Sequence, residues 1–330
     1  MSSQNQLSRY GAIAKAIPEL QPGAKLFLVS DSDDTTVGPL NLADEFPVDK
    51  DGVSRVYTTI QAAVNAASAN RGDVVLVLQG YDQSLTAADT WATAGVHVVG
   101  LGEGAARPTL RYTGKSGEVG IAADNVHVKN LRFLAAVDSC ARALDLDTGF
   151  TGAHLEGCLF DFAATGNDFR VHVRAGQARS TIEKNKILAE DTAGSGRAIS
   201  IRGAGGQYTE IKDNYVFGQF DTVGDTTNGA GVIAIDSTDT GDVVGLLIKD
   251  NTLVNTDTAV AMMIRIADGG TYNIRGLIKG NYLTTFDSSS ADTAKLAIGT
   301  GVGVGMKVLD NHMNGDSGTE KIVGDTSVVA

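Results

Sequence analysis

The hexapeptide IKDNYV at Ile211–Val216 returns as IKDNTL at Ile248–Leu253 and as IKGNYL at Ile278–Leu283. Two looser copies, IEKNKI from Ile182 and VLDNHM from Val308, keep one template: an apolar residue, two positions, an asparagine, one position, an apolar residue. Extended backwards, the frame gives LEGCLF from Leu155 and VKNLRF from Val128, with Cys158 and Leu131 in the asparagine slot. From Val128 to Val308 the copy starts lie 27, 27, 29, 37, 30 and 30 residues apart. A repeat of that length implies a solenoid, a propeller or an array.

A second apolar string precedes each hexapeptide: LDLD (Leu144), VHVR (Val171), ISIR (Ile199), IAID (Ile233), MMIR (Met262) and LAIG (Leu296). Apolar residues alternate with variable ones, as in a half-buried strand. The two strands of a repeat start 11, 11, 12, 15, 16 and 12 residues apart, too close for a crossover helix of ordinary length. Propeller blades need four antiparallel strands and hairpin dipeptides at the junctions, which are missing. A parallel β-helix of about nine coils fits, each coil giving two or three short strands stacked about 4.8 Å apart. In that fold Asn185, Asn214, Asn251, Asn281 and Asn311 form a structural ladder that satisfies buried turn backbone from coil to coil. Asn255, four residues past one slot, is expected to matter far less.

Composition narrows the function classes. The 330 residues carry 42% hydrophobic side chains, 40 glycines and only 5 prolines, ample for a core and rich in turns. The formal charge of −12 with no basic cluster disfavours nucleic acid as a partner. No basic segment leading into an apolar stretch opens the chain, and no run of eighteen apolar residues occurs, so neither export signal nor membrane span is expected. Cys140 and Cys158 are the only cysteines and are expected as reduced, small buried hydrophobes.

Upstream, VYTTIQAAVNAASANRGDVVLVLQGYDQSL places Ile60, Val64 and Ala67 at helical spacing before a Gly-Asp turn and the strand VVLVL (Val74 to Leu78). An amphipathic helix there would cover the open end of the first coil. This stretch, together with the IKDN hexapeptides, resembles pectin-lyase-like right-handed β-helix proteins over about Val56 to Val323. The resemblance implies an all-β right-handed parallel β-helix with an N-terminal capping helix, and it implies no particular activity. Residues 1–55 are expected as an arm ahead of a β-helix at 56–330. The arm is similar to N-terminal portions of proteins encoded among tailed-phage virion genes. Its apolar positions Ile13, Ile17, Leu20, Leu26, Phe27 and Leu28 are too many for a solvated tail and suggest a docking surface.

Catalytic signals are weak. Pectin-lyase-like enzymes resemble one another in calcium-binding acids beside an Arg or Lys base, or in paired Asp motifs with Gly-His-Gly and Arg-Ile-Lys, and the latter strings do not occur. The five histidines, His97, His127, His154, His172 and His312, are not expected to share a column. The fourth positions of the aligned strings, Asp147, Arg174, Arg202, Asp236 and Arg265, suggest an outward charged column, read as ion pairs on a solvated face. The acids Asp31, Asp33 and Asp34 lack the Gly and distal Glu of an EF-hand loop. GLGEG from Gly100 lacks the Lys-Ser/Thr of a phosphate loop. Aromatic residues are 6% of the chain, with Trp91 the sole tryptophan, so stacking platforms for a long glycan are sparse. No catalytic, cofactor or metal residue is assigned.

The functional expectation is a non-enzymatic phage virion protein made in the host cytoplasm: a decoration or cement protein on the head surface. Its partners would be the major capsid protein or other virion subunits, and it would be a homo-oligomer such as a trimer. The alternative is a tailspike-type protein that binds or depolymerises bacterial polysaccharide. A secreted pectate lyase relative ranks third.

Overall fold

The computed structural model describes residues 23–30, 55–189, 195–203, 205–220, 231–236, 241–257, 263–266, 273–286, 296–298, 304–315 and 322–323. They form three sheets wound as one solenoid. Sheet A has eleven strands, from Val56–Tyr57 and Leu26–Val29 through Val74–Val77 to Val304–Leu309. Sheets B and C have nine each, running from Asp82–Leu85 to His312–Gly315 and from Ala88–Trp91 to Ile322–Val323. Successive turns pair in parallel within each sheet, through crossovers that proteins make right-handed almost without exception. This is a three-sheet parallel β-helix. Nine strands at about 4.8 Å make the stack roughly 40 Å long.

The repeated hexapeptide is the corner between sheets A and B. Its first two residues end a sheet A strand such as Glu210–Lys212, and its last two open a sheet B strand such as Tyr215–Gly218. The residue before every slot is left-handed: Asn130, Gly157, Lys184, Asp213, Asp250, Gly280 and Asp310 have φ between 53° and 67°. That one αL residue swings the chain from one sheet into the next, which is why Asn, Asp and Gly dominate there. The slot side chain then points inward.

The interior is a set of stacked ladders. Val98, Val128, Leu155, Ile182, Ile211, Ile248 and Ile278 line sheet A, all buried. Leu110, Phe133, Phe160, Ile187, Val216, Leu253 and Leu283 line sheet B, with the rings of Phe133 and Phe160 parallel at 4.7 Å. Both cysteines are free and buried. Burial pushes each thiol up to about 12, leaving no reactive thiolate near neutral pH.

At the N-terminal end helix α1, Ile60–Ala66, is capped by Thr59, whose hydroxyl accepts from the Ala62 N–H, and buries Ile60, Ala63 and Val64. Leu26–Val29 pairs in register with Val74–Val77 and burial reaches 3% exposure for Phe27 and 1% for Leu28. This corrects the docking surface: Phe27 and Leu28 are inside the molecule, and Leu26 belongs to the same strand. The strand's apolar run fills a sheet position, and a boundary at residue 55 cuts across sheet A. Ile13, Ile17 and Leu20 lie outside the described residues.

Candidate functional site

The asparagines make a continuous inner ladder. Asn185, Asn214, Asn251 and Asn281 each donate their Nδ2 to the Oδ1 of the next slot residue at 2.8–3.0 Å, ending on Asn311. Each also donates to a carbonyl one coil back: Leu155, Ile182, Ile211 and Ile248, with Asn311 donating to Ile278. Each Oδ1 in turn accepts the buried backbone N–H of the preceding slot, beginning with Cys158 at 2.9 Å. Such a ladder holds the turns and offers nothing to solvent. Asn255 is not the bystander expected from the frame. It is fully buried, its Oδ1 accepts from Phe220 and Asp257 backbone N–H groups, and its Nδ2 donates to the Phe220 carbonyl.

The outer faces of the three sheets carry different chemistry. On sheet C the register differs from the aligned strings, because Leu144 pairs with Val173 and Ile233 with Ile264. VHVR and MMIR therefore pair two residues further along than the aligned strings suggest, and the expected charged column divides. Arg174 stands beside Asp145 and Ser200, and Arg265 beside Ala234; Arg202 faces Asp236 in the other row, with Asp147 one residue beyond the Leu146–Ala175 pair. Alternation has period two, so a slip of two keeps every apolar residue inward. His172 and Val173 are both buried, which also breaks the phase within VHVR.

The true neighbours form an ion network. Asp145, 1% exposed, receives Arg174 through both carboxylate oxygens and Arg142 Nη1 at 3.0 Å, while Arg142 Nε meets Glu118 at 2.9 Å. Burial pushes the Asp145 carboxyl up to about 7, Arg142 pulls it down, and Asp147 and Glu118 add to the rise. A raised carboxyl beside other acids resembles a general acid, but a general acid must reach its substrate. Asp145 is covered by its own guanidinium partners, so the cluster is a structural network.

Sheet B presents aromatic rings to solvent. Tyr215, Thr252, Tyr282 and His312 follow one another in register. Tyr215 and Tyr282 are 42% and 40% exposed, against 0% for Trp91, so the tyrosines and not the tryptophan offer faces to a ligand. The His312 ring stacks on Tyr282 at 5.0 Å, Lys186 Nζ lies 5.9 Å from the Tyr215 ring centre, and Phe286 follows the Tyr282 strand, also exposed. The two tyrosines stand two turns apart, about 9.6 Å. Composition suggested sparse platforms; the coil repeat brings Tyr215 and Tyr282 onto one face, with Phe286 after the Tyr282 strand, while the exposed Tyr208 lies against Gly245 of a sheet A strand.

Sheet A gathers three of the five histidines, which were not expected to share a column. His97, His127 and His154 are paired on successive turns. The His127 and His154 rings are parallel at 4.2 Å, and His97 meets His127 edge-on at 5.7 Å. Beside them runs a row of Lys129, Glu156, Glu183, Lys212, Lys249 and Lys279. Glu156 binds Lys129 at 3.0 Å and Lys184 at 3.4 Å, and Glu183 binds His154 at 3.1 Å and Lys212 at 3.4 Å. Burial pushes both carboxyls up, but these partners outweigh it and hold them below the usual range. The signal was in the sequence: His127 and His154 each stand one residue before a hexapeptide start. Of the other two histidines, His172 is buried among Phe160, Phe169 and Phe220, and His312 is on sheet B. Asp31, Asp33 and Asp34 lie outside the described residues.

No protein-family model matches the sequence, and no curated protein matches it. Solved structures are similar to it. A double mutant of the tailspike protein of E. coli bacteriophage HK620 shares 14% identity at a TM-score of 0.48, over 79% of this chain and 47% of that one. The chain thus spans about half the length of that tailspike chain. A single mutant of the same tailspike, in complex with a pentasaccharide, shares 13% identity at 0.48 over 96% and 72%. Endo-xylogalacturonan hydrolase from Aspergillus tubingensis shares 11% at 0.43 over 92% and 98%. Likeness at this level says nothing of what the chain binds.

Proposed function

We propose that the chain is a phage virion structural protein of the tailspike type that holds bacterial surface polysaccharide on the outer face of sheet B. The observation that carries this reading is the column of Tyr215, Tyr282 and His312, whose exposed rings sit on a rigid stack at fixed spacing. Sugar rings present C–H faces that pack on aromatic faces, and a rigid platform loses little entropy on binding. The acidic chain, at −12, disfavours a strongly anionic glycan and suits a neutral or amino-substituted one. A homotrimer is the expected assembly.

Head decoration loses the docking surface expected for it. Docking through an apolar arm was its proposed means of attachment, and the strand Leu26–Val29 in that arm is paired in sheet A with Phe27 and Leu28 buried. Location on the tail follows from the receptor-binding reading.

Binding to an array of purified bacterial surface polysaccharides tests the proposal. The wild-type chain should retain a defined glycan, the Tyr215→Ala/Tyr282→Ala protein should lose it, and Tyr208→Ala should not, since Tyr208 packs against Gly245 of a sheet A strand. Unchanged retention by the double variant, or gold-labelled antibody decorating heads instead of tails, would overturn it. A reducing-end assay on any glycan retained separates binding from depolymerisation.

A further inference from the structure

We propose that His127, His154 and Glu156 form a divalent transition-metal site on the outer face of sheet A. The three residues come from two adjacent turns: His127 from the strand His127–Lys129, His154 and Glu156 from His154–Glu156. Register puts the histidines opposite each other, and Glu156, two residues past His154, returns to the same face diagonal to His127. One ligand atom from each lies within 4.8 Å of the other two.

The spacing suits a small ion. Metal bonds of about 2.0 to 2.2 Å at tetrahedral angles separate ligand atoms by roughly 3.4 Å. His127 Nε2 and Glu156 Oε2 are already 3.5 Å apart. The ladder holds the two imidazoles parallel at 4.2 Å, so their in-plane lone pairs run side by side and the rings must tilt toward each other to share one ion.

The donor set selects the ion. Two imidazoles and one carboxylate suit zinc, cobalt or nickel, whereas calcium and magnesium want oxygen ligands throughout. Three protein ligands leave a fourth position for water or an incoming ligand. Glu183, 3.1 Å from His154 Nε2, is the outer carboxylate that such imidazoles usually keep to fix their orientation. Lys129 and Lys184 are the cations an ion must displace from Glu156. Their side chains are 35% and 57% exposed, and both can swing into water.

Cobalt(II) titration of the untagged full-length chain, followed by visible d–d absorption, tests the proposal, with zinc competition giving the affinity. Wild type should bind one equivalent with tetrahedral-type bands that zinc abolishes and calcium or magnesium does not. His127→Ala and Glu156→Gln should each lose the bands while keeping the wild-type circular dichroism spectrum. Glu183→Gln should weaken zinc roughly 10- to 100-fold, as loss of an outer partner does, and Lys129→Gln should tighten it by removing the competing cation. His312→Gln, on sheet B, should bind as wild type. Absence of cobalt bands in the wild-type chain, or bands that persist in His127→Ala, would overturn the assignment and leave the cluster an ion-pair ladder. Neither result bears on glycan binding at sheet B.

Discussion

Replacing Asn251 by leucine tests the inner ladder at its centre. The asparagine is 1% exposed, its Nδ2 donates to Ile211 O at 2.9 Å, Lys249 O at 3.0 Å and Asn281 Oδ1 at 2.9 Å. Its Oδ1 accepts from the Asn214 backbone N–H at 3.0 Å and from Asn214 Nδ2 at 2.9 Å. Leucine has similar volume and makes none of these bonds. Asn214 Nδ2 keeps Ile182 O, but the Asn214 N–H loses its side-chain acceptor inside the molecule. An orphaned buried donor costs roughly 1 to 3 kcal/mol and each further hydrogen bond about 1 kcal/mol. Leucine's own burial offsets part of that, so the net loss should be about 2 to 4 kcal/mol. Urea unfolding followed by far-UV circular dichroism should show a lower midpoint at unchanged slope. Thr252→Ala, on the outer face of sheet B, is the control and should stay within about 0.5 kcal/mol of wild type. Asn255→Leu should fall with Asn251→Leu, because its amide also holds buried turn backbone. Equal midpoints for Asn251→Leu and Thr252→Ala would refute the claim that the amide ladder holds the coils.

Two further outcomes follow. Deleting residues 1–30 removes the strand that pairs with Val74–Val77, Leu28 included, and uncovers Val74 and Leu76, so the truncated chain should bind a hydrophobic dye and melt earlier than wild type; an unchanged melt would return residues 26–29 to a dispensable arm. Burial lowers the His172 imidazole to about 4. Below its ordinary value near 6.5 the unfolded chain therefore binds a proton that the folded chain refuses. Stability should fall by roughly 3 kcal/mol as pH drops from about 6.5 to about 4, and it should fall less in His172→Gln. Identical pH dependence of the urea midpoint in the two proteins would remove His172 as the source.

The sequence by itself determined the solenoid. The asparagine slot, the apolar alternation and the short strand separations allow only parallel stacking, because they are local patterns repeated at fixed length, and the free energy of each coil depends mainly on its neighbours. The ladder residues were legible for the same reason. Relations that local pattern leaves degenerate were not. Alternation has period two, so nothing in VHVR separates a pairing of Leu144 with Val171 from the actual pairing with Val173, and the residues of the expected charged column stand in two rows. The apolar run Leu26–Val29 reads equally as a sticky arm or a buried strand until Val74–Val77 is placed beside it. The histidine column and the tyrosine face depend on which outward positions align over three turns, His97 to His154, and over four, Tyr215 to His312. A one-dimensional frame keyed to inward residues ignores those positions, since burial constrains the inward half of each strand and leaves the outward half to function. Tertiary structure decided the register and, through it, which outward side chains meet.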